Sequence, residues 1–115
     1  MSPVTHILAV RYKPSTTAEE RRGTADAILA LPTRCVRDGK PYVTVVGGGK
    51  ENSNHRAAKG FDHIFVFTFD SPEARDYFNT QDPVHLEFIA AASQGGNGPD
   101  DLIALDFSAG EFSLL

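Results

Sequence analysis

Apolar and polar positions alternate most regularly at 61–69. His63, Phe65, Phe67 and Phe69 fall on one side there, and Asp62, Ile64, Val66 and Thr68 on the other. A period of two predicts a β-strand. Residues 5–12 read the same way, with His6, Leu8, Val10 and Tyr12 opposite Thr5, Ile7, Ala9 and Arg11. Both faces of these strands are largely apolar, so both are expected to be covered. Between them, Ala25, Ile28, Leu29 and Leu31 recur at helical spacing, which predicts a helix over 18–31. Thr16 or Thr17 can cap it, with Glu19 or Glu20 near its third position, and Pro32 is expected to stop it.

Residues 33–41 read as irregular. A second strand follows at 42–46, ended by Gly47, Gly48 and Gly49, and then a polar loop over 50–60 that contains a solvated His55. The run Asp70-Ser71-Pro72-Glu73 starts a helix that reaches about Phe78, because an acceptor precedes a first-turn proline. Asn79-Thr80-Gln81 breaks it. Asp82-Pro83 restarts a helix whose face carries His85, Phe88 and Ile89. A loop over 94–99 leads to the last strand, 102–107. The order β-α-β-β-α-α-β suits a four-stranded antiparallel sheet with its helices on one face, the split βαβ arrangement of an α+β protein.

Composition narrows the picture. The chain has 115 residues, 41% hydrophobic, which is the size of one domain, so 1–115 reads as a single unit. The 11 basic and 15 acidic residues leave a formal charge of -4 with no basic block, so nucleic acid and membrane are not expected partners. One cysteine, Cys35, fits a reducing compartment. With no apparent signal peptide, a cytoplasmic location is expected.

Among candidate motifs, Gly47-Gly48-Gly49-Lys50 lacks the phosphate-loop pattern and reads as a flexible strand end. Cys35 has no CxxC partner and reads as a bland thiol. Asp100-Asp101 reads as a solvated pair, and no spacing supports a metal site. The stronger signal is a set of polar rings on apolar surface. His6 and His63 open strands whose same faces carry Leu8, Val10, Phe65 and Phe67. Tyr77 ends one helix, and His85 begins the next, one turn before Phe88. Together they outline an apolar pocket with few polar groups, the usual form of a small-molecule site. Imidazole moves protons near neutral pH, and a phenol can polarise a carbonyl.

Five segments in order carry a resemblance: Thr5-His6-Ile7-Leu8, Gly60-Phe61-Asp62-His63, Asp76-Tyr77-Phe78, Asp82-Pro83-Val84-His85 and Leu105-Asp106-Phe107. Over about 5–108 the chain resembles the stress-responsive A/B barrel family, the dimeric α/β barrels. The resemblance implies a ferredoxin-like protomer and a homodimer whose sheets form a barrel. It is also similar to a plant polyketide cyclase of that family, which performs an intramolecular aldol condensation without a cofactor. By that resemblance its acid/base pair falls on Tyr77 and His85, and two further pocket histidines fall on His6 and His63. The link at 79–82 is longer here.

Three functional classes follow. The first is a cofactor-free, polyketide cyclase-like lyase acting on a carbonyl-rich small molecule, with His85 as base, Tyr77 as donor and no metal. The second is a non-catalytic stress or assembly protein. The third is a monooxygenase-like or small-molecule-binding relative. Three structural expectations accompany them. A homodimer should close through Ile7, Ala9, Ile64 and Val66. His6 should meet Asp106, because an antiparallel first and last strand place them side by side. His63, Tyr77 and His85 should gather at one pocket mouth, with His6 some ~15 Å away.

Overall fold

The structure, a computed structural model, describes residues 2–54, 56–94 and 98–113, with the side chain of Gln94 excepted. The reading of His55 and most of the loop before the last strand lie outside the described residues. The elements in order are β1 (Val4–Tyr12), α1 (Ala18–Arg34), β2 (Val36–Arg37), β3 (Lys40–Pro41), β4 (Val43–Lys50), a short 3-10 turn (Arg56–Ala58), β5 (His63–Phe69), α2 (Pro72–Thr80), α3 (Pro83–Gln94) and β6 (Pro99–Phe107). The long strands form one antiparallel sheet in the order β4-β5-β1-β6. This is the ferredoxin-like α+β fold.

Alternation decides the layers. Val4, His6, Val10 and Tyr12 of β1 and Phe65, Phe67 and Phe69 of β5 are buried on the helix side, against Ile28 and Leu31 of α1 and Phe78 of α2. Each such apolar side chain contributes about 1.5–3 kcal/mol by leaving water. Among the described residues no α-helix covers the other side of the sheet, where the 3-10 turn lies near Ala9, Ile64 and Ile103. Register puts Ile7 between Val66 and Leu105, and Ala9 between Ile64 and Ile103. Ile103, Leu105 and Phe107 remain exposed there, Leu105 at 60%.

The helix caps follow the sequence closely. Thr17 and Glu20 form a capping box, with Glu20 N–H donating to Thr17 Oγ1 at 3.1 Å and Thr17 N–H to Glu20 Oε1 at 2.9 Å. Ser71 Oγ accepts from Ala74 N–H at 3.1 Å, one residue before Pro72.

Three local expectations are corrected. Pro32 does not stop α1, which runs on to Arg34 with Pro32 buried in its last turn. One missing N–H is a small loss beside that burial, and Cys35 N–H closes the helix on Leu31 O at 2.7 Å. Residues 36–41 are a small hairpin, turned by Asp38 and Gly39 with φ of 53° and 76°. The glycines do not end β4 but belong to it. A Cβ on Gly48 would lie 2.7 Å from Phe65 Cδ1 and 3.3 Å from Leu29 Cδ2, so only glycine lets this strand approach the core so closely.

Candidate functional site: two imidazoles around Phe78

The antiparallel pairing of β1 with β6 sets His6 opposite Asp106. His6 Nδ1 meets Asp106 Oδ1 at 2.5 Å, as expected from the strand order, and Arg75 Nη1 donates to the other carboxylate oxygen at 2.9 Å. The His6 residue is only 9% exposed. Its ring stacks near Phe67 at 6.4 Å between centroids and meets the edges of Phe69 and Phe78 at 6.3 and 6.5 Å. A carboxylate on Nδ1 fixes the tautomer and leaves Nε2 as the reactive nitrogen.

His85 reaches the same ring from α3. It lies flat on Phe78, 3.7 Å between centroids and 12° between planes. Its Nδ1 lies 2.7 Å from Phe78 O, an acceptor only, so Nδ1–H donates and Nε2 again stays open. Burial lowers the pKa of His85, and nearby His6 lowers it further; the carbonyl of Phe78 and the carboxylate of Asp82 pull the other way. The two imidazoles are therefore neighbours around Phe78.

The start of α3 is fixed by Asp82, 1% exposed. Its Oδ1 accepts from Val84 N–H at 2.9 Å and His85 N–H at 3.3 Å. Its Oδ2 accepts the Tyr42 hydroxyl at 2.5 Å. Burial and then Asp82 raise the pKa of Tyr42. Burial chiefly, with Asp82 adding, pushes the Cys35 thiol up to about 12, so it is an inert buried group. Sequence reasoning found Asp82 as a helix start but missed this hub; its only signal was an Asp-Pro pair, which says nothing of burial.

Tyr77 is turned elsewhere. Its ring meets the edge of Tyr42 at 5.5 Å, and the Arg37 guanidinium lies over it at 4.4 Å. Arg37 is itself held by a bidentate pair with Glu73, at 2.8 and 2.6 Å. Among the described residues no hydrogen bond links Tyr77 to His85.

His63 corrects the expected gathering. It pairs with Val10 in the sheet, whereas His6 pairs with Phe67. Four strand residues thus separate His63 from the His6 level, roughly 13 Å at ~3.3 Å per residue. The reason is that α2 does not run back along the sheet. Its nine residues stay at the end of β5, where Phe78 packs on Phe69 at 5.2 Å, so His85 arrives beside His6. At the far end, the Tyr12 hydroxyl sits 2.9 Å from His63 Nδ1 and Arg21 lies over the Tyr12 ring. Burial lowers the pKa of His63.

The apolar residues named from the sequence divide in the same way. Leu8, Val10 and Phe88 line a cleft of about 190 Å³ between α1, α3 and β6, with Ile28 and Leu102. Leu8 is two residues along β1 from His6, and Phe88 is three along α3 from His85, so the cleft continues the face that carries both imidazoles. Phe65 lines a separate cleft with His63, and Phe67 is buried beneath His6. Among the described residues no group of three or more His, Cys, Asp or Glu could hold a metal ion, and no helix is long and apolar enough to cross a membrane.

Comparison with known proteins agrees with this architecture. An Arabidopsis thaliana protein superposes with a TM-score of 0.76 at 24% identity, over 96% of this chain and 99% of that one. A hydroxynitrile lyase from Passiflora edulis superposes with a TM-score of 0.78 at 21% identity, over 97% of each chain. A dimeric ferredoxin-like protein of unknown function from Thermobifida fusca gives 0.63 at 17% identity, over 93% and 91%. No match was found among curated proteins. The model of the stress responsive A/B barrel domain matches residues 4–109, and the chain belongs to that family.

Proposed function

We propose that the protein is a cofactor-independent acid/base catalyst of the lyase or cyclase kind, acting on a carbonyl-rich, polyketide-like small molecule. The observation that carries this reading is the pair of imidazoles around Phe78, each held through Nδ1, with an apolar cleft lined by Leu8, Val10 and Phe88 farther along the same strand and helix. His85, whose pKa burial lowers, takes a proton from the carbon next to a carbonyl. His6, as an imidazolium stabilised by Asp106, gives its Nε2 proton to the oxygen that would otherwise become an enolate. The substrate is left as its enol, poised for carbon–carbon bond formation or cleavage. Tyr77, the donor implied by the resemblance, packs on Tyr42 and Arg37, so in this reading His6 takes its role. The hydroxynitrile lyase of the same fold is in keeping with this class of chemistry.

The test uses a panel of aryl ketones and short polyketones, with deuterium uptake next to the carbonyl followed by NMR. His85→Ala is expected to lower the enzymatic rate by ~10²–10⁴-fold. Equal rates in the parent and this variant would defeat the reading. A second reading, a non-catalytic barrel protein, draws on the enclosure of His6 by three aromatic rings and the Asp106–Arg75 pair, which also suits a structural clamp. It expects His6→Ala to unfold the protein more easily with no exchange activity to lose. Either reading includes a homodimer closed through Ile7, Ala9, Ile64 and Val66, supported by the bare apolar sheet face. A monomer by light scattering at micromolar concentration would exclude it.

A further inference from the structure

The far end of the sheet holds polar chemistry that this function does not use. A cleft of about 310 Å³ opens between α1 and β4, at the small end of the range for small-molecule sites. Its floor is apolar, made by Ala25, Leu29 and Phe65, and His63, Lys50, Arg22 and Asp26 stand around it. Gly48 brings β4 close to Phe65, and no side chain from that position fills the space.

The hydrogen bonding sets what His63 can offer. Burial pushes the Tyr12 phenol up to about 12, so it keeps its proton. Two acceptors face this hydroxyl, the Arg21 carbonyl at 3.4 Å and His63 Nδ1 at 2.9 Å, and its proton is assigned to the nearer. A ring that accepts at Nδ1 carries its proton on Nε2, and that N–H has no partner among the described residues. Burial lowers the pKa of this ring, against the pull of Asp62.

Charge supplies the rest. Arg22 is paired with Asp26 at 2.9 Å, and Arg21 with Asp62 at 3.6 Å. The Lys50 side chain has no hydrogen bond or ion pair among the described residues, so its ammonium is the uncompensated charge at the mouth. Glu51, the next residue, belongs to a different pocket, with Ala9 and Ile64 on the open side of the sheet.

We propose that this cleft binds a small aromatic or similarly apolar carboxylate, its body on Phe65 and Leu29 and its carboxylate between His63 Nε2–H and Lys50. The inference does not rest on the catalytic reading, whose residues lie at the other end of the sheet.

Benzoate is the probe and benzamide, its neutral isostere, the control. Both are titrated into the intact protein and followed by backbone amide shifts. Benzoate is expected to saturate with a Kd of about 1 mM, moving Ala25, Lys50 and His63 and leaving Phe88 still, with benzamide at least ~5-fold weaker. Lys50→Gln, an exposed change that leaves the core intact, should weaken benzoate ~5-fold and leave benzamide unaltered. Ala25→Leu should fill the cleft and abolish both. Equal affinity for the two probes, no saturation of benzoate by ~20 mM, or an unchanged affinity in Lys50→Gln would each overturn the proposal. Shifts confined to Phe88 and His85 would overturn it too, and would place the ligand in the other cleft.

Discussion

The two ends of the helix–sheet layer use the same residue types in opposite ways. At one end, His6 and His85 are held by acceptors, a carboxylate and a backbone carbonyl, so each ring keeps a proton on Nδ1 and has Nε2 left for other partners. At the other, the Tyr12 hydroxyl stands 2.9 Å from His63 Nδ1, and by donating there it would leave the proton of His63 on Nε2. Under the two proposals the first end moves protons and the second donates to a ligand's oxygen. An imidazole's chemistry is set by its partner, and strand register chose the partners here. Asp106 stands beside His6 because β6 pairs with β1, and Tyr12 reaches His63 diagonally across the β1–β5 pair.

The largest effect should come from removing the shared ring. Phe78→Ala is expected to cost about 3–5 kcal/mol in urea denaturation. It should also shift the ring resonances of His6 and His85 and leave those of His63 in place. Equal movement of all three would mean the ends are not independent.

Asp82→Ala should cost about 2–4 kcal/mol, since it strips the α3 cap and strands the buried Tyr42 hydroxyl. Asp82→Asn should recover part of this. In both, the His85 resonances should broaden before those of His6, because only His85 is aimed by that helix start.

The pH dependence tests what the ends share. Burial lowers the folded-state pKa of both His85 and His63. The unfolded chain therefore takes up these protons first as pH falls below about 6.5. Stability is full above that pH and declines as pH drops toward the folded-state values. Urea midpoints at pH 5 to 8 should show this slope, and His85→Gln should flatten it. A slope of opposite sign would show that the charged forms are favoured by the fold.

The smallest effect is expected at Arg37→Ala, which breaks a surface pair with Glu73 and uncovers Tyr77. Such pairs are screened by water, so the denaturation midpoint should stay within error, and the exchange activity with it. A large loss of activity would return Tyr77 to the catalytic end.

The strand patterns of 5–12 and 61–69, the Thr17 and Ser71 caps and the His6–Asp106 pairing were legible because each depends on local period or simple strand order. The position of His85 was not. Deciding whether α2 or α3 runs back along the sheet needs the place where Phe78 docks, a contact with β1 and β5 that no local pattern encodes. The role of Gly48 was hidden for a similar reason. A glycine run looks the same whether it ends a strand or lets one pass close to a phenylalanine.

The His6–Asp106 contact joins residues separated by a hundred positions in the chain. Closing so long a loop is entropically unfavourable and is recovered only when β6 docks along β1. During synthesis, at ~5–20 residues per second, β1, α1, β4 and β5 are made seconds before the strand that carries the carboxylate. Until that strand is in place, His6 sits on an unfinished sheet without the acceptor that sets its tautomer. The carboxylate that orients His6 therefore arrives only with β6, and a chain stalled before that strand would have most of its core without the contact on which the proposed chemistry depends.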